Sequence, residues 1–206
     1  SFFVTWAQSN PMTLWYEKPA AVWEEALPIG NGRQAAMVFG NPANEHLQLN
    51  KDDFWAGSPY TNANPNGGKA ALQKIQQLIS AGKYKEADEM ANKNFVAEKV
   101  HGMPYQPVGD LYLQFDGHDQ YANFRRELDI QRAVAKTSYT TNGITYTREI
   151  IASFTDNAII IRLTASKPAS ISFTASLKTP QAGTITSSGK TALVISATGP
   201  AHRGIP

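Results

Sequence analysis

The chain has 206 residues, 42% of them hydrophobic, which allows one large domain or two small ones and leads us to expect a real core. Its formal net charge is only +2, and its lysines and arginines are scattered, so neither nucleic acid nor an acidic membrane surface is selected by electrostatics. There is no cysteine, which removes disulfides and thiolate chemistry, and no apolar run is long enough for a membrane-spanning helix.

The chain opens with "SFFVTWAQSNP", and two readings stand. "FFVTW" has the composition of a first β-strand. The apolar run ending at Ala7 also resembles the tail of a secretory signal peptide, whose cleavage site favours small residues. On that second reading residues 1–13 are a lead and the protein is periplasmic or secreted. Next comes "VWEEALP", 22–28, which carries two acidic residues and ends in proline, features that suit a loop better than a central strand. Gly30-x-Gly32-x-x-Ala35 then meets the loose pattern of a dinucleotide-binding turn. That fingerprint needs a strand before it and a helix after it, because the helix N-terminus holds the pyrophosphate. Here "QAAMVFG" follows, seven residues stopped by Gly40, which reads as a buried strand, and no βαβ rhythm continues. Nucleotide binding is therefore rejected in favour of a Gly-Asn-Gly turn that reverses the chain into a strand.

The stretch 49–68 sets Phe54, Trp55 and Tyr60 among Asn, Gly and Pro, with Asp53 beside them. An aromatic face next to amide and carboxylate groups suits a sugar ring, whose C–H face stacks and whose hydroxyls pair. The simpler account is that Trp55 anchors a long loop to the core. From 67 to 96 the period becomes helical. Leu72, Ile75, Leu78 and Ile79 build one helix, stopped by Gly82, and Ala87, Met90 and Ala91 build another over about 84–95. This αα-hairpin reads as a lid or spacer packed on a sheet rather than a cofactor box.

From Gly109 the period is two. In "DLYLQF", Leu111, Leu113 and Phe115 share a face. Asn142-Gly143 between two Thr/Tyr/Ile-rich runs signals a hairpin. "AIIIRLTAS", "SISFTASL", "GTITSS" and "ALVISATG" then follow at short spacing, with Asp156-Asn157 and Lys167-Pro168 marking turns. The spacing predicts a mainly β chain, an antiparallel sandwich or barrel interrupted by the helical hairpin.

Chemistry-bearing groups are sparse. Glu24-Glu25 and Asp52-Asp53 are adjacent pairs, whose side chains tend to point apart on a strand or loop. Solvated charge or turn caps account for them better than acid/base work on a glycoside. None of His46, His101, His118 and His202 stands at a metal-ligand spacing. "FDGHD", 115–119, offers oxygen ligands to calcium, but a plain turn after a strand is the simpler account. No G-x-S-x-G elbow is present.

Three stretches in order, "LWYEKPAAVWEEALPIGNGRQAAMVFG", "EHLQLNKDDFWAGSP" and "YQPVGDLYLQF", resemble the N-terminal domain of glycoside hydrolase family 95, the α-L-fucosidases with some α-L-galactosidases. The resemblance covers 14–206. It implies a large antiparallel β-sandwich (a super-β-sandwich) in front of a helical (α/α)6 catalytic barrel, inverting hydrolysis of fucosylated glycans, and no metal or other cofactor for the chemistry. It also implies that the acid and base lie in the barrel, beyond residue 206, that "IGNGR" is an architectural corner, and that the sandwich is cut within its strands. No position matches the family's catalytic motif, so no catalytic residue is assigned. The candidates for carbohydrate contact are Trp55, Tyr60 and Asp53. The expected partners are the downstream catalytic domain and, in the full-length enzyme, a fucosylated oligosaccharide. The other reading is an independent carbohydrate-binding module.

Overall fold

The computed structural model describes residues 12–58, 64, 66–96 and 103–202. The possible strand in "FFVTW", Tyr60 and His101 lie outside the described residues. The chain divides into one unit of Ser1–Phe54 with Gln106–Thr198 and another of Trp55–Tyr105 with Gly199–Pro206.

The first unit carries strands β1 (Thr13–Tyr16), β2 (Leu27–Gly30), β3 (Gln34–Val38) and β4 (Asn44–Lys51). After the other unit it continues with β5 (Gly109–Gln114), β6 (Ala122–Asp129), β7 (Val134–Thr141), β8 (Ile144–Ser153), β9 (Ala158–Ala165), β10 (Thr174–Lys178), β11 (Ala182–Ser188) and β12 (Ala192–Thr198). One antiparallel sheet runs β1-β6-β7-β8-β9, a second runs β10-β5-β4-β3-β2, and β11 pairs with β12 alone. The two larger sheets share a core. Leu27, Ile29, Ala36, Val38 and Leu47 come from one, and Leu128, Ala135 and Ile150 from the other. The sandwich expected from the period-two segments is thus present.

Its corners follow from local chemistry. Asn142 and Gly143 have φ of 49° and 73°, the paired positive values of the turn that matches strand twist, and they join Thr141 to Ile144. The Gly-Asn-Gly corner joins β2 to β3. Asn31 Oδ1 accepts the N–H groups of Arg33 and Gln34 at 2.9 and 2.7 Å, while its Nδ2 donates to Ser153 O at 2.7 Å in the facing sheet. The glycine pattern is architectural. One expectation needs correction: Leu27 and Pro28 are not loop but the start of β2. That strand is a sheet edge, where a missing N–H removes no ladder bond.

In the second unit, α1 (Lys69–Ser80) and α2 (Tyr84–Phe95) form the expected hairpin. Gly82, at φ 72°, ends α1 with Lys83 N–H on Leu78 O and Gly82 N–H on Ile79 O, the bond pair of a Schellman cap. Ile75, Leu78 and Ala87 are buried together, with Met90 and Ala91 against them. Leu72 and Ile79, read as part of the same stripe, stay half exposed. The contacts from α2 are Ala87, Met90 and Ala91, and they cover the stripe at Ile75 and Leu78. Asn64 Nδ2 donates to Lys93 O and Val96 O at 3.0 and 2.9 Å, taking up carbonyls that the end of α2 leaves open.

Candidate functional site

Asp53 is fully exposed and paired with Lys51, which holds its carboxyl below the ordinary range. Trp55 belongs to the other unit, and Tyr60 lies outside the described residues. Trp55 is not the buried anchor that loop packing suggests: it is 47% exposed. It forms a β-bridge with Tyr105 and meets that ring edge-on at 4.8 Å, so the ends of its segment pair with each other. Glu25 accepts the Ala21 N–H at 2.8 Å, the turn-cap role expected of it. Among the described residues no group of His, Asp and Glu is arranged to hold a metal ion, and Phe115 to Asp119 is a turn.

The structure instead brings together charges that the sequence reading left unremarked. Glu45 on β4 and Arg148 on β8 are buried, with Nη1 3.1 Å from Oε2, and so tie the two sheets together. Arg148 also donates to Asn41 O at 2.6 Å, to Pro42 O and to Tyr139 Oη at 2.8 Å, and its guanidinium lies 4.2 Å from the Phe115 ring centre. Glu45 Oε1 accepts the N–H groups of Gly40 and His46 at 2.7 and 3.2 Å. Burial pushes the Glu45 carboxyl above its ordinary range, against the pull of Arg148 and these N–H groups. His118 Nδ1 lies 2.8 Å from Tyr139 Oη, and burial, with the Arg148 charge, holds its imidazole below its ordinary value. This network fastens the β3–β4 turn. It is closed to solvent and binds the fold together rather than a ligand.

Two further groups reach the surface. His46 stacks between Phe39 and Tyr112, at 4.2 and 4.6 Å, with Nε2 2.6 Å from Asp110 Oδ1. The other is a cleft of about 500 Å³ beside β1, lined by Trp15, Tyr16, Glu17, Lys18, Glu25 and Arg126 among others. Its floor is Arg126, only 2% exposed, whose Nε and Nη1 donate to Lys18 O and Glu25 O, each at 2.6 Å. The guanidinium sits 4.4 Å from the Tyr16 ring centre. Those two carbonyl bonds fix the course of 17–26, and Ala20 N–H on Phe39 O at 2.9 Å pins its middle. The sequence signal for Arg126, Glu45 and Arg148 was phase. Each falls in period-two register with a buried apolar neighbour, Leu128, Leu47 and Ile150, on its own strand.

Residues 14–204 match the family described as glycosyl hydrolase family 65, N-terminal domain. Over 173 residues the chain is 41% identical to alpha-L-fucosidase 2 of Arabidopsis thaliana, an alignment that covers 80% of this chain and 20% of that protein. It is 29% identical to probable alpha-fucosidase A of Aspergillus oryzae over 168 residues, 75% of this chain and 22% of that protein. It is 27% identical to probable alpha-fucosidase A of Aspergillus niger over 158 residues, 75% of this chain and 20% of that protein. The chain thus spans about a fifth of the length of these curated relatives. The N-terminal-domain part of the sequence resemblance rests on the family description, which carries the number 65 rather than 95. The fucosidase part rests on the relatives' names.

Proposed function

Because the chain belongs to the family of glycosyl hydrolase family 65 N-terminal domains, we propose that it forms the non-catalytic front of an inverting α-L-fucosidase acting on fucosylated glycans. The observation that carries this reading is the 41% identity to a protein named as an α-L-fucosidase, of whose length the aligned region is only 20%. The acid and base of the reaction then belong to a helical domain later in the same polypeptide, and this chain packs against it. Surface chemistry supports such packing. Ile185 on β11 and Leu193 on β12 share one face of their hairpin and are each more than 40% exposed, an apolar surface suited to covering by another domain.

The test is to read the coding frame past residue 206 and to assay the encoded polypeptide on an aryl α-L-fucoside and on a fucosylated oligosaccharide. The expected result is a long all-helical region and turnover with inversion at the anomeric carbon. A frame encoding no such region, or a longer polypeptide that turns over other glycosides but no fucoside, would overturn the reading.

A further inference from the structure

The first sheet ends at β9 in an edge that nothing blunts. Sheet edges invite pairing by other strands, and short length, proline and lysine are the usual defences. β1 and β2 have four residues each, β2 carries Pro28, and β10 has five residues with Lys178 among them. β9 has eight, Ala158–Ala165, with neither proline nor lysine, and it pairs in unbroken register with β8. Its one charge, Arg162, lies 3.2 Å from Glu149. Ser166 N–H donates to Thr145 O, one step past the Tyr146–Ala165 pair, so the even-numbered residues of β9 bond to β8. The N–H and C=O groups of Ile159, Ile161 and Leu163 therefore point away from β8. Among the described residues no strand meets them.

A second deficit lies beside this edge. β2 packs over β7 and β8, and β3 over β9. In the order β10-β5-β4-β3-β2 the second sheet then continues past β9. Its last two strands line an open gap of about 570 Å³ with Leu111, Phe173, Ala175 and Leu177, and Leu193 of the β11–β12 hairpin stands on the other side. No described residue of the first sheet lines this gap. Leu113, buried in the core, pairs with Ala175, and Leu111 pairs with Leu177, so these positions belong to the inner face. Yet Phe173 is 45% exposed and Ala175 is exposed as well. Core-facing apolar surface thus opens to water next to a row of unpaired backbone groups.

A helix or an apolar ligand would cover Leu111 and Leu177 but leave the outward groups of β9 unpaired. A strand pairs with those groups and turns alternate side chains into the gap. We propose that a β-strand from elsewhere in the same polypeptide, outside these 206 residues, pairs with β9 and sets apolar side chains at alternate positions against Leu111 and Leu177. The curated relatives, of whose length this chain spans about a fifth, have ample chain to supply such a strand. A second copy of the chain fits less well. Antiparallel pairing of β9 with its counterpart would bring that copy's second sheet into the space that β5 and β10 already overhang. The proposal rests on the longer polypeptide proposed above, but not on its acting on fucosides.

The experiment is hydrogen–deuterium exchange, resolved to single amides by mass spectrometry, on the 206-residue chain and on the longer polypeptide. The amides of Ile160, Arg162 and Thr164, bonded to β8, should be protected in both and serve as the reference. Those of Ile159, Ile161 and Leu163 should exchange freely in the chain and about a hundredfold more slowly in the longer polypeptide. Ala175→Lys alters a side chain that is exposed in the chain. In the longer polypeptide it should speed exchange of the same three amides about tenfold while the reference amides hold. Equal exchange in the two proteins would overturn the proposal, as would protection that Ala175→Lys leaves unchanged. Protection already present in the chain and rising with its concentration would overturn it in favour of a second copy. None of these readouts depends on turnover, so failure here and failure of the fucosidase assay are separate results.

Discussion

Gly40 leaves β3 at φ 78°, and a Cβ built on it would stand 3.1 Å from Thr137 Oγ1 and 3.2 Å from Arg126 Cδ. Gly32 has a similar φ of 86° but nothing within 4 Å of such a Cβ. Alanine at either site suffers left-handed strain of about 1 kcal/mol, and only at Gly40 does overpacking add a further 1–3 kcal/mol or so. Urea denaturation should therefore give a loss of about 1 kcal/mol for Gly32→Ala and about 3 kcal/mol for Gly40→Ala. Equal losses would mean that the packing around Gly40 yields freely. His118 makes a different test. Burial and the Arg148 charge lower its folded-state value, so as pH falls through about 6.5 the unfolded chain takes up a proton that the folded chain refuses. Stability then declines on acidification from that point. Glu45, pushed upward by burial, acts in the opposite sense, since its folded form binds the proton first. The informative quantity is the difference between wild type and His118→Gln. That difference should be flat above about pH 7 and shrink as pH falls below 6.5, whereas a pH-independent difference would remove His118 from the linkage.

At the scale of elements, the link between β4 and β8 is the Glu45–Arg148 pair, buried on both sides. Removing one partner strands a charge inside the protein and typically costs about 3–5 kcal/mol, whereas replacing both by apolar groups of similar volume is often near neutral. Glu45→Ala should fall in that range by thermal or urea unfolding. Glu45→Leu with Arg148→Met should lose less than the sum of the single changes. Additive losses would mean the two side chains stabilise independently. This pair also marks the limit of what the sequence made legible. Asn142-Gly143, Gly82 and the helical spacing of 69–95 act through local backbone preference, which a sequence displays directly, and the sheets and hairpin followed. The edge strand through Pro28 did not, because whether a proline breaks a strand depends on which neighbour its N–H would have met. The same holds for the cleft. Arg126 reads as a solvated cation until the carbonyls of Lys18 and Glu25, more than a hundred residues away in sequence, come round to meet it. The one local cue was phase, a charge in step with Leu128, Leu47 or Ile150. That cue competes with the strong general tendency of charged residues to face water.

At the scale of the whole molecule, the acidic groups that decide the question among the described residues are committed to architecture or face water. Inverting hydrolysis of a glycoside needs a general acid and a general base roughly 6.5–9.5 Å apart across the bond, and the acid needs an environment that keeps it protonated near neutral pH. Glu45 has such an environment, but it is sealed from solvent and bound to Arg148. Asp110 is occupied by His46, Glu127 by Arg125 and Lys136, and Glu149 by Arg162. Glu17 and Glu25 share a cleft, but both are exposed and no burial sets one apart as an acid. The purified chain is therefore expected to hydrolyse neither an aryl α-L-fucoside nor a fucosylated oligosaccharide. The assay sets the chain beside the longer polypeptide proposed above, at equal molar concentration, with Asp53→Asn, Glu17→Gln and Glu25→Gln as companions. Turnover by the chain that survives further purification and disappears in any of these variants would give the sandwich a catalytic carboxylate and sink the division of labour proposed above. Turnover confined to the longer polypeptide would leave this chain the task its geometry suits, which is to hold a sandwich against which a catalytic domain can pack.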